Sequence, residues 1–219
     1  MAATSTVSVC RAKLIWLMES AGQEVLTFVL KRGALNAPTA PPGVSLTDYL
    51  DRLPPGSSAN YGSMSNSQKK RELNATDSRQ LQRYPLWDKF DVALLFKAIK
   101  LTCEGVAGMN DSAWQDQSTL EGMVTGIKNK RNELIHETRS VSESEFQLKV
   151  NELEALFNRL LSAAKSRYGI SDADIVPVED RVRQATDDFR KAGMEKEILI
   201  NYFNNRHQEF LRDCKSVFF

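Results

Sequence analysis

An all-α fold is what this sequence of 219 residues predicts. Three observations carry the prediction. Apolar side chains recur at spacings of three, four and seven over most of the chain, the period that gathers them into a helix stripe. No stretch alternates apolar with polar residues as a half-buried strand does. Two of the periodic runs open on a serine three residues ahead of a glutamate, a spacing that satisfies exposed helix N-terminal amides.

The elements follow in order. Between residues 9 and 30, Leu14, Leu17, Met18, Val25, Phe28 and Val29 fall on one stripe, predicting a helix or a pair of helices jointed near Gly22. Residues 33–67 hold five of the seven prolines with several Gly, Ser and Asn residues, which sustain neither helix nor ladder hydrogen bonding. This is a long Pro/Gly/Ser-rich loop with one short helical insert at about residues 45–53. Phe90, Val92, Leu94, Leu95, Phe96, Ile99 and Leu101, with Pro85 before them and Gly105 after, predict a core helix. After a loop from Gly105 to about Gln117, Ser118 and Glu121 predict a capping box. The helix it opens carries Leu120, Met123, Val124, Ile127, Leu134 and Ile135 on one face and runs to about Glu137. Ser142 and Glu145 open a long amphipathic helix through Phe146, Val150, Leu153, Phe157, Leu160 and Ala164. The pattern breaks over residues 169–177 and resumes in two further helices separated at Gly193. The expected organisation is a helical domain over 1–168, a linker at 169–177 and a C-terminal helical extension at 178–219.

Composition narrows the function classes. The balance of 29 basic against 28 acidic side chains argues against a polybasic arm, a membrane-coating surface or an acidic tail. Locally the balance shifts: Lys69, Lys70, Arg71, Arg79, Arg83, Lys89, Lys97 and Lys100 outnumber Glu72, Asp77, Asp88 and Asp91 between residues 65 and 100. Two histidines and three cysteines, none sharing a metal-ligand spacing, do not make a structural zinc site. Scattered thiols without a signal peptide lead us to expect free cysteines and a cytoplasmic location. No apolar run approaches the roughly 20 residues that span a bilayer. Phosphate-loop, dinucleotide-binding and zinc-protease strings do not occur. The cysteines lack a nearby histidine, so a thiol nucleophile is not expected.

One spacing does not look like packing. Projected at about 100° per residue, the apolar stripe of the helix from Leu120 is centred near that residue; Arg131 lies about 20° from the centre, Asn132 about 120° and His136 about 160°. A guanidinium in an apolar stripe cannot lose its proton and must find an anion, an acceptor or a subunit interface. His136 points away from the stripe, unlike a satisfied core histidine. Asn132 and His136, four apart, share a face, and the long arm of Arg131 can reach around to them. His207, in Asn-Asn-Arg-His-Gln-Glu, lacks this spacing and reads as a surface residue.

Arg131-Asn132-x-x-x-His136, within Lys-Asn-Lys-Arg-Asn-Glu-Leu-Ile-His-Glu, resembles the signature of the HEPN domains, a superfamily of helical bundles many of which are metal-independent endoribonucleases. The early helix, the proline-rich loop, the Phe90–Phe96 segment, the Gly/Trp loop around Trp114 and the helix from Ser142 extend the likeness over roughly residues 10–168. They look like the HEPN domain of an RNA-binding RING-type ubiquitin ligase and of related invertebrate innate-immunity proteins.

The resemblance implies RNA as partner, a homodimer whose motif helices meet in one cleft, and no cofactor or metal. His136 suits proton transfer near neutral pH, Arg131 offers a fork of donors for phosphate oxygens, and Asn132 would orient either. Lys128 and Lys130 are candidate RNA contacts, set against Glu133 and Glu137, which place negative charge beside them. Trp16 and Trp87 read as core and Trp114 as a possible base platform. The competing expectation is a non-catalytic dimerisation or adaptor module in innate-immune or ubiquitin signalling. It would contact protein partners through the proline-rich loop or the apolar C-terminal tail.

Overall fold

The structure, a computed structural model, describes residues 9–34, 46–51, 53, 58–83, 87, 90–136 and 139–191. All the regular structure among them is helical. Helix α1 (Val9–Leu17) passes through a π-helical turn (Met18–Gly22) into α2 (Gln23–Gly33), so the expected joint near Gly22 is a widened turn rather than a break. A Cβ at Gly22 would stand 2.8 Å from Met18 Sδ and 3.5 Å from the Phe157 ring, which is why glycine occupies this crossing.

Short helices α3 (Leu46–Asp51), α4 (Asn60–Ser63), α5 (Asn66–Glu72) and α6 (Ala75–Arg83) follow. The insert expected at about 45–53 is α3. Most of the remaining proline-rich stretch lies outside the described residues. Helix α7 (Val92–Thr102) opens on Asp91, whose carboxylate accepts the Leu94 N–H at 2.8 Å, and buries Val92, Leu94, Leu95, Ala98 and Ile99. The loop after it includes one 3₁₀ turn, Ser112–Trp114.

Helix α8 (Leu120–His136) begins where the periodicity says, with different capping. Thr119, not Ser118, caps it, its hydroxyl accepting the Gly122 N–H at 3.0 Å. Ser118 instead bonds Asp116 Oδ1 through both its N–H and its hydroxyl. Glu121 turns inward to Arg167, whose Nη1 donates at 2.5 Å, and also accepts the Ala107 N–H at 2.9 Å. A two-pronged guanidinium partner outcompetes a solvent-side box.

Helix α9 (Glu143–Tyr168) does start on Ser142, which accepts the Glu145 N–H at 3.3 Å, and it ends at Gly169 in the left-handed region (φ 61°). It is the central pillar, packing on α1, α2, α8 and α10. Phe146 and Phe157, with Phe90 ahead of α7, are among the largest wholly buried side chains.

The expected linker at 169–177 is corrected. Helix α10 (Asp172–Lys191) runs through Pro177 without stopping. Proline there removes one backbone hydrogen bond, but Ile175, Val178, Val182 and Phe189 are spaced to lie along α9 and are all buried. That burial offsets the missing bond. Phe189 meets Trp16 edge-on, ring centroids 5.6 Å apart. Residues 172–191 therefore belong to the same core as α1–α9. The extension's further helix beyond Gly193, with His207 and Cys214, lies outside the described residues. No helix among the described residues is long and apolar enough to cross a membrane.

Candidate functional site

The C-terminal half of α8 is held from three sides. Arg11, nearly buried on α1, donates Nε to the Leu134 carbonyl at 2.9 Å and Nη2 to the Ile135 carbonyl at 2.6 Å. These are last-turn carbonyls with no partner inside the helix, and a cation there also meets the negative end of its dipole. Leu134 and Ile127 anchor the stripe in the core, and α9 lies along it.

Arg131 leans to the core side of this half. Its Nε donates to Glu19 Oε1 at 3.1 Å, with the Glu19 side chain only 10 % exposed and that of Arg131 23 % exposed. The anion that the helix projection demands thus comes from the π-helical turn of the same chain. Widening the turn at Met18–Gly22 brings a carboxylate out of an otherwise apolar run to meet the guanidinium; such bulges recur at functional positions. Nη1 of Arg131 reaches Asn132 Oδ1 at 3.5 Å. Glu19, Arg131 and Asn132 are therefore joined.

His136 is not joined to them. It sits one turn beyond Asn132, exposed at the last residue of α8, and among the described residues it has no polar partner. Arg131 and Asn132 form the half-buried root of the motif and the imidazole its free tip.

The two lysines differ. Lys130 is shared between Glu133 (3.6 Å) and Glu152 (3.5 Å), so its charge is largely spent on carboxylates. Lys128 has no carboxylate partner among the described residues and lies over the Phe96 ring, 5.3 Å from its centroid. Glu137 is outside the described residues. Trp114 is buried, edge-on to Phe96, and its indole N–H donates to the Gly108 carbonyl at 3.0 Å, so its faces are not open to a base. Trp87 is buried against Tyr49. Cys103 is wholly buried, and burial pushes its thiol far up; Cys10 is raised by burial and then by Glu143, which accepts from its thiol. Neither presents a thiolate.

Comparison with family models, with curated proteins and with solved structures returned no match for this chain. The site rests on its own geometry.

Glu19 and Arg11 escaped sequence reading. Each has a signal in retrospect: Glu19 is the one acid between residues 9 and 23, and Arg11 lies within the same apolar run. A lone charge inside an amphipathic stripe marks a partner elsewhere, but the stripe cannot say on which helix.

Proposed function

We propose that the chain binds single-stranded RNA at the exposed end of α8 and cleaves it without a metal, in defence or RNA turnover, as a HEPN-like endoribonuclease. The observation that carries this reading is the arrangement of the motif: a guanidinium and a carboxamide held 3.5 Å apart on a fixed helix, with an unencumbered imidazole one turn further on.

The chemistry balances as follows. His136 takes the proton of a ribose 2′-OH as its oxygen bonds to the adjacent phosphorus. Arg131, leaving or sharing Glu19, steadies the extra charge on the phosphorane, and Asn132 orients a phosphate oxygen. The P–O5′ bond breaks, and the departing oxygen takes a proton from the imidazolium of a second copy's His136. The products are a 2′,3′-cyclic phosphate and a 5′-hydroxyl. An exposed His136 at a helix end leaves room for that second copy.

The purified chain, incubated with end-labelled single-stranded RNA in EDTA, is expected to give cyclic-phosphate ends. His136→Ala should cut the rate about 10²-fold or more. Absence of cleavage by the wild-type chain, or equal cleavage by His136→Ala, sinks the catalytic reading.

One observation favours a second reading, a non-catalytic helical module. The Glu19 pair satisfies Arg131 inside one chain, so the guanidinium needs no ligand to justify its position. Under that reading, Arg131→Ala lowers stability and leaves RNA affinity untouched.

A further inference from the structure

The strongest unassigned feature lies where α7 and α8 meet. Phe96 is half-exposed, and two ammonium groups lie over its ring: Lys100 Nζ at 5.9 Å and Lys128 Nζ at 5.3 Å from the centroid. Lys100 also lies 5.0 Å from the Trp114 ring. Neither lysine forms an ion pair among the described residues. Glu72, which acts on Lys100 through space, is itself paired with Arg71 at 3.5 Å. Burial lowers the affinity of Lys100 for its proton; Glu72 works against that, and the neighbouring charge of Lys128 adds to it. Two like charges are thus gathered on one aromatic ring with no anion between them, a geometry that an anion relieves.

This pair is continuous with the motif. Lys128, Asn132 and His136 are spaced four apart on α8, so they climb one strip of the helix over about 12 Å, drifting about 80° around it. Asn129 lies beside them, exposed. Glu133, four residues after Asn129, borders this strip, and its carboxylate is drawn to Lys130 at 3.6 Å, on the side away from Lys128. Cations on an aromatic platform followed by carboxamides and an imidazole suit a chain of phosphates and riboses. A peptide carboxylate would use the lysines and leave the amide strip idle.

We propose that Lys100 and Lys128, seated on Phe96, form the entry clamp for the phosphodiester backbone of single-stranded RNA, which then runs along Asn129 and Asn132 to His136. This deepens the RNA reading above and rests on it. Phe96 acts as a positioning residue, holding both ammonium groups toward the same phosphates.

The test is anisotropy of a labelled single-stranded RNA with the full-length chain, titrated at several salt concentrations, alongside the EDTA cleavage assay. The double variant Lys100→Gln/Lys128→Gln is expected to bind about ten-fold more weakly, with a salt slope shallower by about 1.4, the release expected for two phosphates on a single strand. Lys100→Arg/Lys128→Arg, which keeps both charges and stacks on the ring, should restore binding. Phe96→Leu should weaken it with both charges present, and Arg183→Gln on α10 should not change it. Circular dichroism of each variant reports folding separately.

If wild-type RNA binding is undiminished in the double Gln variant, the clamp is overturned while the cleavage reading stands. If the double variant loses binding but His136→Ala still cleaves, the clamp stands and the catalytic assignment falls. A wild-type chain that binds no RNA at low salt overturns both. Displacement of the RNA by poly-glutamate of matched charge as readily as by unlabelled RNA replaces the nucleic acid with an acidic peptide.

Discussion

Arg131 shows how much a single side chain's place in a helix stripe determines. Its position in the apolar stripe of α8 demanded an anion, and the demand is met by Glu19 at 3.1 Å. What the stripe could not supply was the partner's address, because the two residues are 112 apart in sequence and meet only through the packing of the π-helical turn on α8. For His136 the exposure was legible, since it projects away from the stripe, and its separation from Arg131 was not. Lys128 and Lys130 look alike in sequence and part company in space, one on an aromatic ring and one between carboxylates. The Glu19–Arg131 pair is mostly out of water, so removing one partner strands the other. Glu19→Ala and Arg131→Ala should each cost about 1–3 kcal/mol in urea unfolding. The double variant should cost less than the sum, by a coupling of at least about 0.5 kcal/mol. Additive losses would show that the two side chains do not interact in solution.

At the scale of elements, helix existence follows from periodicity, and helix ends follow from local competition that periodicity does not register. The stripe from Leu120 to Ile135 yields α8 to within a residue. Its cap does not follow from Ser-x-x-Glu, because Glu121 turns inward to a guanidinium from α9 and Thr119 stands one residue closer. Pro177 reads as a breaker, and α10 absorbs it because Ile175 and Val178 on either side are buried. The start of α8 is also the tightest approach of backbone to backbone among the described glycines: a Cβ on Gly122 would stand 1.8 Å from the Asp116 carbonyl oxygen. The preceding loop lies directly on the helix there, and Gln117 Nε2 donates to the Gly122 carbonyl at 2.8 Å. Gly122→Ala must push that loop away. It is expected to lower stability by about 1–3 kcal/mol despite alanine's better helix propensity. An unchanged thermal midpoint would mean that the loop does not rest on α8.

Across the whole molecule, what ties the end of α9 to the start of α8 is a single inward ion pair rather than apolar contact alone. Glu121 is 2 % exposed, and burial by itself would push its carboxyl up. The donors of Arg167, with the Ala107 N–H, overcome that and hold it below the usual carboxylate range. The sign of the pH dependence follows. A carboxyl whose affinity for its proton is lower folded than unfolded contributes stability that is complete above the unfolded value, near 4.3, and is lost as pH falls through the folded value. Exposed Asp174, held down by the Ser171 hydroxyl and Arg32, and Asp116, held down by Ser118, act in the same direction. Glu121→Gln keeps the shape and an acceptor for Ala107 while deleting the charge, and it leaves the solvent-facing Arg167 with the Gly105 carbonyl. At pH 7 it should cost about 1–3 kcal/mol. Followed by urea unfolding from pH 7 down to pH 3, the gap between wild type and variant should hold until about pH 4.5 and close below it. The closure comes from the wild-type chain losing stability there, not from the variant gaining it. A gap that stays constant through pH 3 would mean that the carboxylate is not what joins the two helices, and that the packing of α8 on α9 holds this corner by itself.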